Sequence, residues 1–238
     1  MNNLETFVVL TSDIIDSRNT NCENKNWIGQ LNILNKEIHE KYSKVCLTPF
    51  SLSRGDEIQA VFHTHVSIPI IIKLLRYHLL PFRIRIGVGF GKINQNNNQS
   101  IKNSWDLTGT AFFNSRESME MIKKKKEQST FFKSNDIQFD EIVNGFYLLV
   151  DTIEKKWTKK QWEAVYLYEN EGTFLKASKK NNTTPQNISL TSQRANYFEI
   201  KKTEELIGRL ICLYISNKND CKSTYQTNMF DIYNIKQK

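Results

Sequence analysis

The order of strand-like and helix-like runs over the first 126 residues constrains this chain most, because it reads β-α-β-β-α-β. Residues 6–12, built around the apolar run Phe7 to Leu10, read as a buried strand. Residues 24–42 place Ile28, Leu31, Leu34 and Ile38 on one helical stripe. Residues 45–52 and 57–63 read as two strands joined at Arg54-Gly55-Asp56, with glycine at the turn. Residues 66–80 read as a helix with Pro69 in its first turn. Residues 82–90 alternate Phe82, Ile84, Ile86, Val88 and Phe90 with Arg83, Arg85, Gly87 and Gly89, as a half-buried strand does. Asn94 to Ser100 reads as a polar loop, and residues 110–126 as a helix closing on Lys123 to Lys126. Those lysines suit the negative end of the helix dipole and a solvated terminus. This element order is the split motif of ferredoxin-like domains, so the expected fold class is α+β.

That motif gives two acids their meaning. Asp13 follows Phe7-Val8-Val9-Leu10-Thr11-Ser12, and Asp56 precedes Glu57-Ile58-Gln59-Ala60-Val61-Phe62. The central hairpin would set Asp56 beside the end of the first strand, near Asp13. An acid on an apolar strand is costly to bury without a counter-charge. Two such acids on neighbouring strands would share one Mg2+ or Mn2+ ion, since carboxylate oxygens are good ligands for it. The plainer alternative is that both cap turns beside strands. Asp16 reads as a turn cap or as a further ligand. Gly87, Gly89 and Gly91 alternate on a strand, which asks for close approach of a ligand or a neighbouring strand.

Composition narrows the partners. The net charge of +8 divides as +3 over residues 1–150 and +5 over residues 151–238 (+3 and +5 make +8), so the smaller part is the more basic. A polyanionic partner for that part is expected. Cys22, Cys46, Cys212 and Cys221 are scattered without C-x-x-C spacing, as reduced thiols of a cytoplasmic protein would be. His39, His63, His65 and His78 show no metal-ligand spacing. Neither a Ser-His-Asp order nor a glycine-rich phosphate loop is present. The longest apolar stretch, Val66 to Leu75, is too short to span a bilayer, and Met1 to Glu5 lacks the basic head of a signal peptide, so no membrane partner is expected.

Beyond about residue 155 the pattern changes. Thr158-Lys159-Lys160-Gln161 is a capping box opening a helix that carries Trp162, Val165 and Tyr166, and Glu171-Gly172 stops it. Thr173 opens a short helix with Phe174 and Ala177; Asn181-Asn182-Thr183 makes a turn. Thr184 caps a third helix with Pro185 at its first position. Ile188, Thr191, Ala195 and Phe198 share one face of it. Gln186, Asn187, Ser189, Ser192, Gln193 and Asn196, with Arg194 beside them, occupy the other. Such side chains hydrogen-bond base edges and phosphates. The layout is that of a helix-turn-helix, with DNA as the expected partner; a three-helix bundle used for packing or dimerisation is the alternative. Residues 200–215 read as a further helix whose Leu206, Ile207, Leu210 and Ile211 offer a dimer stripe. The expected organisation is a ferredoxin-like domain over 1–150, an all-α helix-turn-helix domain over 155–216 and a tail over 217–238.

The set Ser12-Asp13-Ile14-Ile15-Asp16-Ser17-Arg18, Gly55-Asp56-Glu57-Ile58-Gln59, Arg85-Ile86-Gly87-Val88-Gly89 and Gly109-Thr110-Ala111-Phe112 resembles the bacterial SatD family. The N-terminal part is similar to the catalytic domain of class III nucleotidyl cyclases. That resemblance implies metal ligation by Asp13, Asp56 and the Ile14 carbonyl. It implies nucleotide binding at Gly55 and at Asp106 and Gly109, where the cyclase acid reads the purine. The hairpin also resembles that of diguanylate cyclases. The C-terminal part resembles the helix-turn-helix of sigma-factor region four, with Thr184 to Asn196 as recognition helix.

The cyclase pattern is departed from where it matters for catalysis. Its asparagine and arginine positions hold Phe113 and Glu117, while Asn114 and Arg116 are each displaced by one residue, about 100° of helix rotation. Its purine-reading lysine is replaced by Leu52. Losing such groups commonly costs about a thousandfold in rate. Two functions follow: a cytoplasmic DNA-binding regulator whose cyclase-like domain senses a metal or nucleotide, or a nucleotidyl cyclase or related phosphoryl-transfer enzyme. Cyclase sites are shared between two domains and this chain has one, so either implies a homodimer.

Overall fold

The computed structural model describes residues 6–15, 26–52, 56–64, 66–94 and 103–219, and of residues 26 and 217–219 the backbone alone. Strand β1 (Phe7–Ile14) is the centre of a five-stranded sheet of order β2-β3-β1-β4-β5. Its neighbour β3 (Ile58–His63) pairs antiparallel from Phe7↔His63 to Ser12↔Ile58, and β4 (Ile84–Gly91) does so from Phe7↔Gly91 to Ile14↔Ile84. Strand β2 (Cys46–Leu52) pairs outside β3, with register shifts along its length. Helices α1 (Asn26–Tyr42) and α2 (Ile68–His78) make the two crossovers, and Pro69 sits in the first turn of α2, where its missing N–H is harmless. These bounds lie within a few residues of the sequence expectation, because the apolar periods of 2 and 3.6 are clean here.

Two elements were not expected. Strand β5 (Thr130–Lys133) adds to β4 in parallel, and α4 (Ile137–Glu154) follows it. Asn144 of α4 serves as a surrogate strand for β5: its Oδ1 accepts from Phe132 N–H at 2.7 Å and its Nδ2 donates to the Phe132 carbonyl at 2.8 Å. The last strand's outer edge is thereby satisfied rather than left open for pairing.

The three alternating glycines of β4 are explained by a helix. α3 (Thr110–Lys125) crosses β4 and β1 so closely that a Cβ on Gly89 would strike the Ala111 carbonyl and the Ser115 nitrogen. A Cβ on Gly87 would lie 2.6 Å from the Ser115 carbonyl. The close approach is therefore to α3, which corrects the expectation of a ligand or a strand. Asn114 Nδ2, Ser115 Oγ and Ser118 Oγ donate to the Phe90, Gly87 and Val88 carbonyls at 2.7, 3.0 and 3.2 Å, pinning the helix in register.

Residue contacts divide the chain into two units, 1–148 and 149–238. In the second, α5 (Lys159–Glu171), α6 (Phe174–Lys180) and α7 (Pro185–Arg194) enclose Ala164, Ala177 and Ile188. The capping box of Thr158 and Gln161 forms as read, and Gly172 closes α5 in the left-handed conformation at φ 74°. Helix α8 (Tyr197–Asn219) is longer than expected at both ends. Ile207 and Ile211 are buried within the single chain, so two of the four residues offered as a dimer stripe are already used.

Candidate functional site

Side chains alternate across a strand, and α3 covers the odd-numbered face of β1. Ser115 Oγ and Thr11 Oγ1 are hydrogen-bonded at 2.8 Å, and Gln59 Nε2 donates to the same threonine oxygen from β3 at 3.0 Å. Asp13 stands two residues beyond Thr11 on that face, its side chain 10% exposed. Along α3, Ser115, Met119 and Lys123 follow at steps of four and so lie one above another. Lys123 Nζ consequently reaches Asp13 Oδ2 at 3.0 Å. Arg85, directly opposite Asp13 on β4, places Nη1 3.3 and 3.2 Å from Oδ1 and Oδ2.

The counter-charge a buried acid requires is thus supplied by the chain itself. Lys123 does more than solvate a helix end; the readable signal was its eight-residue spacing from Ser115, two turns of one helical face. Asp56 lies two residues before Ile58, which pairs with Ser12, so it comes to the same end of the sheet and is half-buried. Ile14 pairs with Ile84 there. Gly55 and Asp16 lie outside the described residues. Among the described residues no three His, Cys, Asp or Glu side chains gather into a group able to hold a metal. With two cations already on Asp13, the described residues at this end of the sheet do not fit a divalent ion.

The remaining expected residues lie elsewhere. Asn114 is buried and spends its amide on the Phe90 carbonyl at 2.7 Å, whereas Arg116, two positions on and about 200° around the helix, is exposed. The structure does not bring the two together. Asp106 ends a single 3-10 turn (Ser104–Asp106) and is exposed; Gly109 caps α3 at φ 136°, where a Cβ would strike the Lys92 carbonyl. Leu107, between them, packs with Phe7. Gly109 lies by Lys92, just past the Gly91–Phe7 pair and so at the opposite end of β1 from Asp13, whereas Ser104 at the start of the 3-10 turn reaches the Gln59 carbonyl at 3.4 Å, opposite Thr11.

In the second unit, Thr184 caps α7 by accepting from Asn187 N–H at 3.2 Å, and Pro185 opens the helix. Gln186, Gln193 and Arg194 are exposed and have no side-chain partner among the described residues. Asn187 is exposed but bonded to Thr183 and Thr191 at 2.8 and 3.2 Å. Ser189 is half-buried beside Phe174, Pro185, Gln186 and Leu190 in a shallow hollow of about 410 Å³. Ser192 is fully buried, so it sits inside the helical unit and not on the outward face where the sequence reading put it. Asn196 holds a left-handed conformation at φ 52° between α7 and α8, a turn duty asparagine tolerates.

A mixed α/β sheet unit joined to an all-helical unit is the class of protein these features define. The chain belongs to the SatD family, whose profile matches residues 7–222. No curated protein matches it. Among solved structures it is similar to two described as a bacterial light-regulated adenylyl cyclase. One is 13% identical at a TM-score of 0.35 over 54% of this chain and 75% of that one. The other is 11% identical at 0.35 over 54% of this chain and 43% of that one. No helix among the described residues is long and apolar enough to cross a membrane.

Proposed function

We propose that the chain is a DNA-binding regulator that reads its site through α7. One observation carries this: Gln186, Gln193 and Arg194 project from a capped, ordered helix with their hydrogen-bonding groups unspent. A polar side chain with no internal duty on a rigid helix is what base-edge and phosphate recognition requires. α6, the turn at 181–184 and α7 then act as a helix-turn-helix. Lys179 at the end of α6 is exposed and adds positive charge for phosphates, while Lys180 is paired with Glu171 at 2.6 Å. In this reading the ferredoxin-like, cyclase-like unit is the sensing part and a nucleotide is its ligand class. A homodimer accompanies this reading, because cyclase sites are shared between two domains and dimeric helix-turn-helix proteins read paired half-sites.

The enzyme reading, a phosphoryl-transfer catalyst, is disfavoured because Asn114 is committed to the sheet and Asp13 to two cations. A mobility-shift titration of the full chain at two salt concentrations tests the proposal. Binding should weaken with salt, and Gln193→Ala with Arg194→Ala should lower affinity by about tenfold or more with unchanged helicity. Binding indifferent to that double substitution sinks it.

A further inference from the structure

We infer that Lys123 occupies the place of a divalent cation, so that Asp13 anchors an internally neutralised, metal-free centre. Three observations converge on it. Asp13 is buried on a strand and needs positive charge, and Lys123 Nζ supplies it at 3.0 Å. Arg85 supplies a second charge from the facing residue of β4 at 3.2 Å. Asp13 with Lys123 and Arg85 carries a surplus of one positive charge, which Asp56 at the same end of the sheet offsets, and Lys124, Lys125 and Lys126 add further positive charge at the end of α3. A dication approaching Asp13 meets like charge at contact distance.

The placement is fixed by the backbone as well as by the ion pair. Gly87 and Gly89 hold α3 against β4, and the Ser115 and Ser118 hydroxyls set its register, so Lys123 falls above Asp13 through packing made two turns away. From Ser115 to Lys123 the helix rises about 12 Å, whereas Thr11 and Asp13 are about 7 Å apart on the strand. A helical side chain leans toward the helix N-terminus, and a lysine stem is long enough to close that difference. The lysine head nevertheless remains half exposed, so it can be replaced without emptying a core position.

The test is direct Mn2+ binding to the full chain, read by loss of the free-ion paramagnetic resonance signal, with no DNA present. Wild type and Lys123→Arg should show no binding that depends on Asp13. Lys123→Met should gain Mn2+ affinity by about tenfold or more, the effect of removing one like charge at contact distance in a partly exposed site. Asp13→Asn added to Lys123→Met should abolish the gain. Equal Asp13-dependent binding in wild type and Lys123→Met overturns the inference, as does an absence of binding in Lys123→Met. None of these outcomes bears on α7 and DNA, so the two readings fail separately.

Discussion

The two units spend the same kinds of side chain in opposite ways. In the sheet unit, polar groups are turned inward. Thr11, Gln59, Asn114, Ser115 and Ser118 bond across β1, β3, β4 and α3, and Asp13 is locked to Arg85 and Lys123. In the helical unit, packing is left to aromatic rings. Trp157 meets Trp162 at 4.7 Å, and Tyr168 stacks on Phe174 at 4.3 Å and meets Tyr197 edge-on at 5.8 Å. Amides and a guanidinium are then free to face outward from α7. Resemblance to a catalytic pattern therefore says less than the fate of each polar group: one already bonded inside the protein is not available for chemistry.

If the sheet unit is held by backbone-to-backbone seating, a side chain added on the glycine lane should be its worst injury. Gly89→Val puts a branched side chain where the Ala111 carbonyl and the Ser115 nitrogen already lie, and neither is a flexible atom. The expected destabilisation is about 3 kcal/mol or more, the upper range for forced overpacking. Urea unfolding followed by circular dichroism and tryptophan fluorescence would show it. Native-like stability in Gly89→Val would mean that α3 is not seated on the strand, and Lys123 would lose its fixed position too.

The helical unit should tolerate more. Trp157 Nε1 donates to the Ala195 carbonyl at 2.7 Å from a buried position. Trp157→Phe keeps an aromatic ring beside Trp162 but leaves that carbonyl unpaired, at an expected cost of about 1–2 kcal/mol. Thermal denaturation should therefore show a smaller loss than for Gly89→Val. The reverse ranking would break the contrast between the two units.

Legibility follows the same divide. Clean strand alternation and the Thr158–Gln161 and Thr184–Pro185 signals made most element starts readable. Strand β5 was not readable because Thr130–Lys133 is too short to show a period, and its place comes from pairing with β4. Helix α4 was hidden because Ile137, Ile142 and Leu149 are exposed apolar residues that blur the buried stripe of Phe139, Val143, Tyr147 and Val150. At the site, the need of Asp13 for a counter-charge was legible, but its source was not. A lysine 110 residues away in sequence becomes its neighbour only through the tertiary seating of α3. Likewise, helical spacing alone put Ser192 outside, whereas the neighbouring helices bury it.

The smallest effect compares two thiols. Cys46 opens β2 in the sheet unit and Cys212 lies on α8, and burial pushes both up, Cys46 to about 11. Burial disfavours the charged thiolate, the species that reacts. The sign for stability follows from the raised value. The neutral thiol's contribution is complete below the ordinary thiol range and is lost as pH climbs through about 11, because only the unfolded chain ionises readily in between. Alkylation of the native protein, mapped peptide by peptide, should leave Cys46 slow until the pH approaches its raised value, while a denatured control reacts freely near the ordinary thiol range. Rapid modification of Cys46 at mildly alkaline pH would mean that the start of β2 opens to solvent, and the sheet unit would be looser at that edge than its glycine-seated centre implies.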